Sequence, residues 1–246
     1  MTLASEQLTE AHRLAQMRIG AGTALLVSAA WELLDIERLD ATVEQWVATV
    51  TRIVEADRAR SAAVAARYLT RHRHDAAGLP QALPAAVVAD PFDQIALRTS
   101  LLVTGPYRLR TNLARNVAVD IAVDKARASS AGEALRHTLA GGRTTITSAV
   151  RSDPDIEGVQ RVTAASPCHF CAMLASRGPV YGDESTADFK PHAHCGCQPE
   201  PVYDTDAELT PTAARFAGQW REAKTLASSE NIRPEVAFRR LVEGRT

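Results

Sequence analysis

Apolar residues recur along the first third of the chain at steps of three and four. From Ser5 to about Asp35 they fall at Leu8, Ala11, Ala15, Ile19, Gly22, Leu26, Ala29, Ala30 and Leu33. That spacing puts one stripe on one helix face. Ser5 is the expected N-cap. Gly20 and Gly22 would each cost about 1 kcal/mol against Ala, so a bend or a close helix contact is expected there. A second helix is expected from Asp40, which would cap it. Its stripe is Val43, Trp46, Val47, Val50, Ile53, Val54, Ser61, Val64 and Tyr68. Only Ile36 to Leu39 separates the two, which predicts an antiparallel hairpin.

The pattern breaks over 71–91, where three Pro and one Gly read as a connector. A third helix is expected from about Pro91 to Val103, ended by Thr104-Gly105-Pro106. Pro106 suits the first turn of a fourth helix to about Arg127, with Leu109, Leu113, Val117, Ile121 and Val123 on its apolar face. A fifth is expected from about Ala131 to Gly141-Gly142, and a further short one over Arg143 to Arg151. After Asp153 the helical period stops. Short β-type pieces follow (GVQRVTA, RGPVYG and QPEPVY), separated by Pro, Gly and Cys. Helical pattern returns from about Thr210, where Phe216, Trp220 and Leu226 share a face.

These spans predict a mainly α protein. It has an Ala-rich helical body and a small Cys/His zinc-ribbon or treble-clef-like β module. The organisation expected is a long helical hairpin over 1–75, helical body over 76–152, a metal-binding module over 153–205 and a helical tail over 206–246. Composition agrees. The 246 residues are 46% hydrophobic and only 5% aromatic, so burial rests on Ala, Val and Leu. The net charge of −1 excludes a strongly basic nucleic-acid-coating protein but leaves a local basic patch open. Of 28 basic residues only Lys125, Lys190 and Lys224 are Lys, an Arg excess that reads as GC-rich coding and carries no chemistry.

The opening segment MTLASEQLTEAHR has acids and no apolar h-region, so no secretory signal is expected. The longest apolar stretch, Ile19 to Leu34, is interrupted by Gly20, Gly22, Ser28 and Glu32. It falls short of the roughly 18–20 residues a membrane span needs. No membrane association is expected.

All four Cys lie between 168 and 197. Cys168-x2-Cys171 is followed by twenty residues and then by His192-x-His194-Cys195-x-Cys197. A C-x2-C knuckle can place two thiolates at two corners of a tetrahedron, about 2.3 Å from Zn²⁺. Pro167 and Gly196 suit a chain that turns sharply around a metal. Structural zinc is therefore the expected cofactor. Cys168 and Cys171 are the first pair, and the other two ligands come from His192, Cys195 and Cys197, with His194 behind them. About one zinc per chain is expected. Disulfides and a catalytic thiol are the competing readings. The first needs an oxidising compartment, and the second is expected to lack a helix-start or βαβ setting.

Arg58, Arg60, Arg67, Arg71, His72, Arg73 and His74 form a basic run, in which Arg67, Arg71 and His74 share a helix face. That face would contact DNA phosphates or an acidic partner, or simply be a solvated helix end with cations at its negative pole. His12, His137 and His169 read as ordinary core or surface residues. Asp153, Asp155 and Glu157 read as turn composition. None of the motifs G-x-x-x-x-G-K-[ST], G-x-G-x-x-G, G-x-S-x-G or H-E-x-x-H is present, so a non-enzymatic role is expected.

The segment RVTAASPCHFCAMLASRGPVYG, followed by HAHCGCQPEPVY, resembles the C-terminal part of MuF-like minor head proteins of tailed bacteriophages that infect actinobacteria. WELLD, the Trp46 helix with SAAVAARYL, LLVTGPYRLR and LAGGRTTI extend the likeness over most of residues 5–205. The resemblance implies a minor capsid protein assembled in the host cytoplasm and carried in the virion head. Its partners would be the portal, the major capsid protein, or both, and packaged DNA. It would act in head assembly and DNA packaging, and some such proteins are thought to be ejected with the genome. The positions that match are Cys168, Cys171, His192, Cys195 and Cys197. Genes in this position are also sometimes labelled capsid maturation protease, so a Cys–His protease is the alternative the resemblance carries.

Overall fold

In a computed structural model of the chain, residues 3–81, 91–179, 189, 191–206 and 209–244 are described. Helix α1 spans Leu3–Ala29 and ends in a 3-10 turn over Ala30–Leu33. Helix α2 spans Leu39–Ala77, and α5 spans Val119–Ser152. These three long helices pack together. α1 runs antiparallel to both partners: its Gln16 meets Ser61 of α2 and Gly142 of α5, and its Trp31 reaches Ser130. Among the described residues no helix is long and apolar enough to cross a membrane.

Gly78 caps α2 in the left-handed conformation, so the helix takes in the first part of the stretch read as a connector. The rest of that connector, 82–90, lies outside the described residues, as do 180–182 of RGPVYG. α1 begins before Ser5, whose side chain is fully buried instead of capping. Arg38, not Asp40, stands at the N-cap of α2.

Helix α3 (Gln94–Leu102) does not stop at Thr104-Gly105-Pro106. It widens into a π-turn over Val103–Tyr107 and continues as α4 (Arg108–Ala114). The wider turn accommodates the ring of Pro106, which a regular α-helix would drive into the carbonyl four residues back. Gly105 lets the Trp46 ring approach: a Cβ there would lie 2.9 Å from Trp46 Cη2. α4 ends thirteen residues before the expected Arg127, with Asn116 left-handed at φ 56°.

The larger departure is α5. Gly141-Gly142 does not end a helix, and one helix runs through it to Ser152. A Cβ at Gly141 would strike the backbone carbonyl of Arg58, and one at Gly142 would sit 2.5 Å from Gln16 Nε2. The glycines mark the crossing of three helices. Gly20 does similar work, with Leu135 Cγ at 3.1 Å from its missing Cβ, whereas nothing lies near Gly22.

The body has two cores. At one end Val27, Trp31, Trp46, Val50, Leu97, Leu101, Leu109 and Ala126 are buried together, and the two indoles meet edge to face at 5.7 Å. At the other, Tyr68, Leu69, Ile146 and Ile156 pack beside a polar network. There His12 stacks on Tyr68 at 4.2 Å, and burial lowers its pKa to about 3. His137 is likewise a core residue, held by Ser100 and Arg136 and lowered to about 4, chiefly by burial.

Strand β1 (Gly158–Val162) pairs antiparallel with β2 (Gln198–Val202), with Gln160 opposite Glu200. Helix α6 (His169–Ala175) lies between them in the chain. The protein is thus mainly helical, with a short two-stranded sheet and a Cys/His cluster near its C-terminal end. α7 (Pro211–Glu230) and α8 (Pro234–Glu243) close on α6: Phe216, Ala223, Ala227, Ala237 and Phe238 bury Ala172 and Ala175. Trp220 packs edge to face on Phe238 at 5.2 Å.

Candidate metal centre

Two pieces of chain build the cluster. The first leaves β1 and turns into α6. Cys168 is the N-cap of that helix, its Sγ accepting from the Cys171 amide at 3.4 Å, and Cys171 is buried on the helix's inner side. Cys168 therefore does stand at a helix start, which the sequence had not suggested. The second piece runs from His192 through Cys197 into β2. It is fixed to the body by Arg143 of α5, which donates from Nε to the Cys197 carbonyl at 3.1 Å and from Nη2 to the Cys195 carbonyl at 2.5 Å. Gly196 lies against Met17, leaving no room for a Cβ.

Two triads of donor atoms result, Cys168–Cys171–His192 and Cys171–Cys195–Cys197, each with all its atoms within 4.8 Å of one another. A tetrahedral ion about 2.3 Å from sulfur and 2.0–2.1 Å from nitrogen sets sulfur–sulfur edges of about 3.8 Å and sulfur–nitrogen edges of about 3.6 Å. Cys171 Sγ lies 3.6 Å from Cys195 Sγ and 3.6 Å from His192 Nε2, and Cys168 Sγ lies 3.1 Å from the same nitrogen. Cys171 is the shared corner. His192 Nδ1 lies 2.6 Å from the Ala193 carbonyl, which can only accept. The proton therefore sits on Nδ1, and in the neutral ring Nε2 turns its lone pair to the thiols. All four Cys are free thiols.

The thiols do not ionise alike. Cys195 is driven far below the ordinary thiol range by hydrogen bonds from Cys171 and Cys197, with the Arg143 guanidinium adding to it. Cys171 is pushed far above that range by the same sulfur contacts and by burial. Cys197 is pulled down by Cys171, but Cys195 and burial outweigh this and push it up to about 12. Three thiolates together, at these separations, need a cation among them. The donor set thus fits a metal ion.

His194 stands apart from both triads. It is left-handed at φ 61°, and its ring rests on Gly132 of α5 where a Cβ would overlap it. His169 pairs with Glu243 of α8 at 3.1 Å. The basic run of α2 splits in two. Arg67, Arg71 and His74 are exposed, whereas His72 and Arg73 are buried. Arg73 pairs with Asp153 and Asp155, so those acids anchor the turn into β1.

Sequence reasoning missed Arg143 and Arg161. Arg143 falls four residues after Leu139 and three before Ile146, on the buried stripe of α5, and that spacing was its one signal. Arg161 of β1 lies 3.7 Å over the Phe189 ring, with Arg143 at 5.5 Å from the same ring. Also unforeseen was Glu200, fully buried in β2 and accepting from Thr9 at 2.6 Å and Gln160 at 2.7 Å, with His72 at 3.2 Å.

A family model described as VG15 protein matches residues 4–223. Comparison with curated proteins and with solved structures finds no match.

Proposed function

We infer the function from one premise: this chain belongs to the VG15 protein family, a family of phage gene products. It is a minor structural protein of a tailed phage head, placed at the portal or head interior during assembly and DNA packaging. The single observation that carries this is the family match over residues 4–223, which spans both body and cluster. The resemblance to MuF-like minor head proteins supplies the finer role.

In that role the long helices present the partner surface. Arg67, Arg71 and His74 form its exposed basic face, toward portal, major capsid protein or packaged DNA. The cluster holds one structural zinc through four of Cys168, Cys171, His192, Cys195 and Cys197. The ion ties α6 to the Cys195–Cys197 turn. Four protein ligands around a tetrahedral ion leave no open coordination position for hydrolysis.

One observation favours a second reading. Cys168 Sγ and His192 Nε2 are exposed and 3.1 Å apart, as in a thiol–imidazole pair. A protease cleaving head precursors would use that pair, with the Ala193 carbonyl orienting the ring.

The test is fractionation of purified virions with crosslinking. The structural reading expects this chain in mature heads, crosslinked to portal or capsid protein, with unaltered precursor processing in a Cys168→Ala variant. Absence from heads and assembly intermediates would overturn it, as would processing lost in Cys168→Ala while zinc and fold are retained.

A further inference from the structure

Two guanidiniums are buried beside the cluster. Arg143 is 2% exposed and Arg161 is 7% exposed. Among the described residues neither meets a carboxylate. Arg143 spends its donors on the carbonyls of Cys195 and Cys197, and its Nη1 bonds nothing. Nε and Nη1 of Arg161 also bond nothing, while its face rests on Phe189. A buried cation without an anion is costly enough that buried charges are found paired. Groups that can become anions stand beside them: Arg143 holds the backbone of Cys195 and Cys197, whose sulfurs form the buried triad with Cys171, and the Phe189 ring under Arg161 packs on the same three Cys.

The charge of a metal–thiolate site follows from its ligands. A dication with two thiolates is neutral and would leave both guanidiniums uncompensated. With three thiolates the site carries one negative charge, and with four it carries two.

We propose that the buried thiols Cys171, Cys195 and Cys197 all bind the ion as thiolates, that the Cys168–His192 pair supplies the fourth ligand, and that Arg143 and Arg161 are the positioning residues whose charge holds this anionic centre. On loading, whatever protons the ligating thiols still carry leave to solvent and no electron moves. The inference deepens the metal reading and rests on it. It also sets the preference of the site: a soft-thiolate centre of this charge selects zinc or cobalt over magnesium or calcium.

Arg161 gives the cleanest test, because its unpartnered Nε and Nη1 mean that Arg161→Met removes charge while keeping a side chain on the Phe189 ring. Full-length protein is loaded with zinc, and affinity is read by chelator competition. Cobalt substitution then reports thiolate number through the sulfur-to-cobalt charge-transfer band. Expected are a band of at least three thiolates, a roughly 10–100-fold loss of affinity in Arg161→Met, and partial recovery in Arg161→Lys. Cys197→Ser is expected to shrink the band by at least a quarter. A two-thiolate band in the wild type overturns the proposal. So does metal affinity in Arg161→Met within twofold of wild type. Wild-type protein that takes up no metal overturns the metal centre itself, which separates that failure from failure of the charge argument. Arg143→Met also cuts the loop's hydrogen bonds, so its fold is checked by circular dichroism before its affinity is compared.

Discussion

The two ends of the three-helix body are made of different materials. Around Trp31, Trp46, Leu97, Leu101 and Leu109 the interior is apolar, and helices meet through fully buried side chains. At the end that carries the sheet, Tyr68, Leu69, Ile146 and Ile156 share the interior with Thr9, Gln16, Ser61, His72, Arg143, Arg161 and Glu200. Apolar area holds the first end, at roughly 25 cal/mol per Å² buried. The second is held largely by hydrogen bonds among buried polar groups, and by whatever closes the cluster. A small sheet with Pro199 and Pro201 in one of its two strands cannot stand alone, because a two-stranded ribbon is marginal even when every residue can donate.

On the metal reading proposed for the cluster, removal of the ion divides the molecule most sharply. Zinc at such sites contributes about 10–16 kcal/mol of folding free energy at neutral pH. A strong chelator is expected to open residues 158–179 and 191–202 to amide exchange and to free α7 and α8, which pack on α6, while the Trp46 core stays protected. Trp220 fluorescence follows the loss of its contact with Phe238. Uniform protection of both ends after complete demetallation would show that the cluster carries no such share.

The converse cut is Leu101→Ala, at a fully buried position of the apolar end. Its expected cost is about 2–5 kcal/mol in denaturant unfolding, with the zinc content of the folded fraction unchanged. Loss of metal together with stability would mean that the two ends fold as one unit. Glu200→Ala tests the polar end without touching the cluster. It leaves Thr9, Gln160 and His72 without their shared acceptor, and a loss of about 3 kcal/mol is expected. A change under about 0.5 kcal/mol would mean that water replaces the carboxylate and that the network is not a fastening.

The contrast also explains what the sequence made legible. Helices with apolar stripes were visible, because periodicity reports burial directly. The strands were visible because helical period stopped and Pro, Gly and Cys punctuated short β-rich runs. The Cys and His positions announced the cluster by spacing alone. Gly141-Gly142 misled, since the same residue type ends a helix and admits a crossing chain. Only the carbonyl of Arg58 and the side chain of Gln16, both remote in sequence, decide between the two uses. The π-turn at Pro106 was hidden for a related reason: proline reads as an end when the wider turn that tolerates it is a tertiary outcome. Arg143 and Arg161 were illegible as buried groups because an Arg in isolation reads as solvated, and the Cys turn and Phe189 ring they pack on lie far along the chain.

Glycine supplies the finest comparison. Gly142→Ala puts a methyl 2.5 Å from Gln16 Nε2 and 2.9 Å from Ser61 Oγ, where both side chains are locked in mutual hydrogen bonds. A loss of about 1–3 kcal/mol is expected, and it should displace Gln16 from His12. Gly22→Ala, on α1, adds its methyl with no neighbour inside 4 Å. There the added methyl restricts the unfolded chain and costs the folded one nothing, so a gain of about 0.5–1 kcal/mol is expected in urea unfolding. If both substitutions stabilise alike, helix propensity rather than the three-helix crossing governs these positions. Opposite signs would place the constraint in the crossing, where α1, α2 and α5 meet closely enough that one methyl decides the packing.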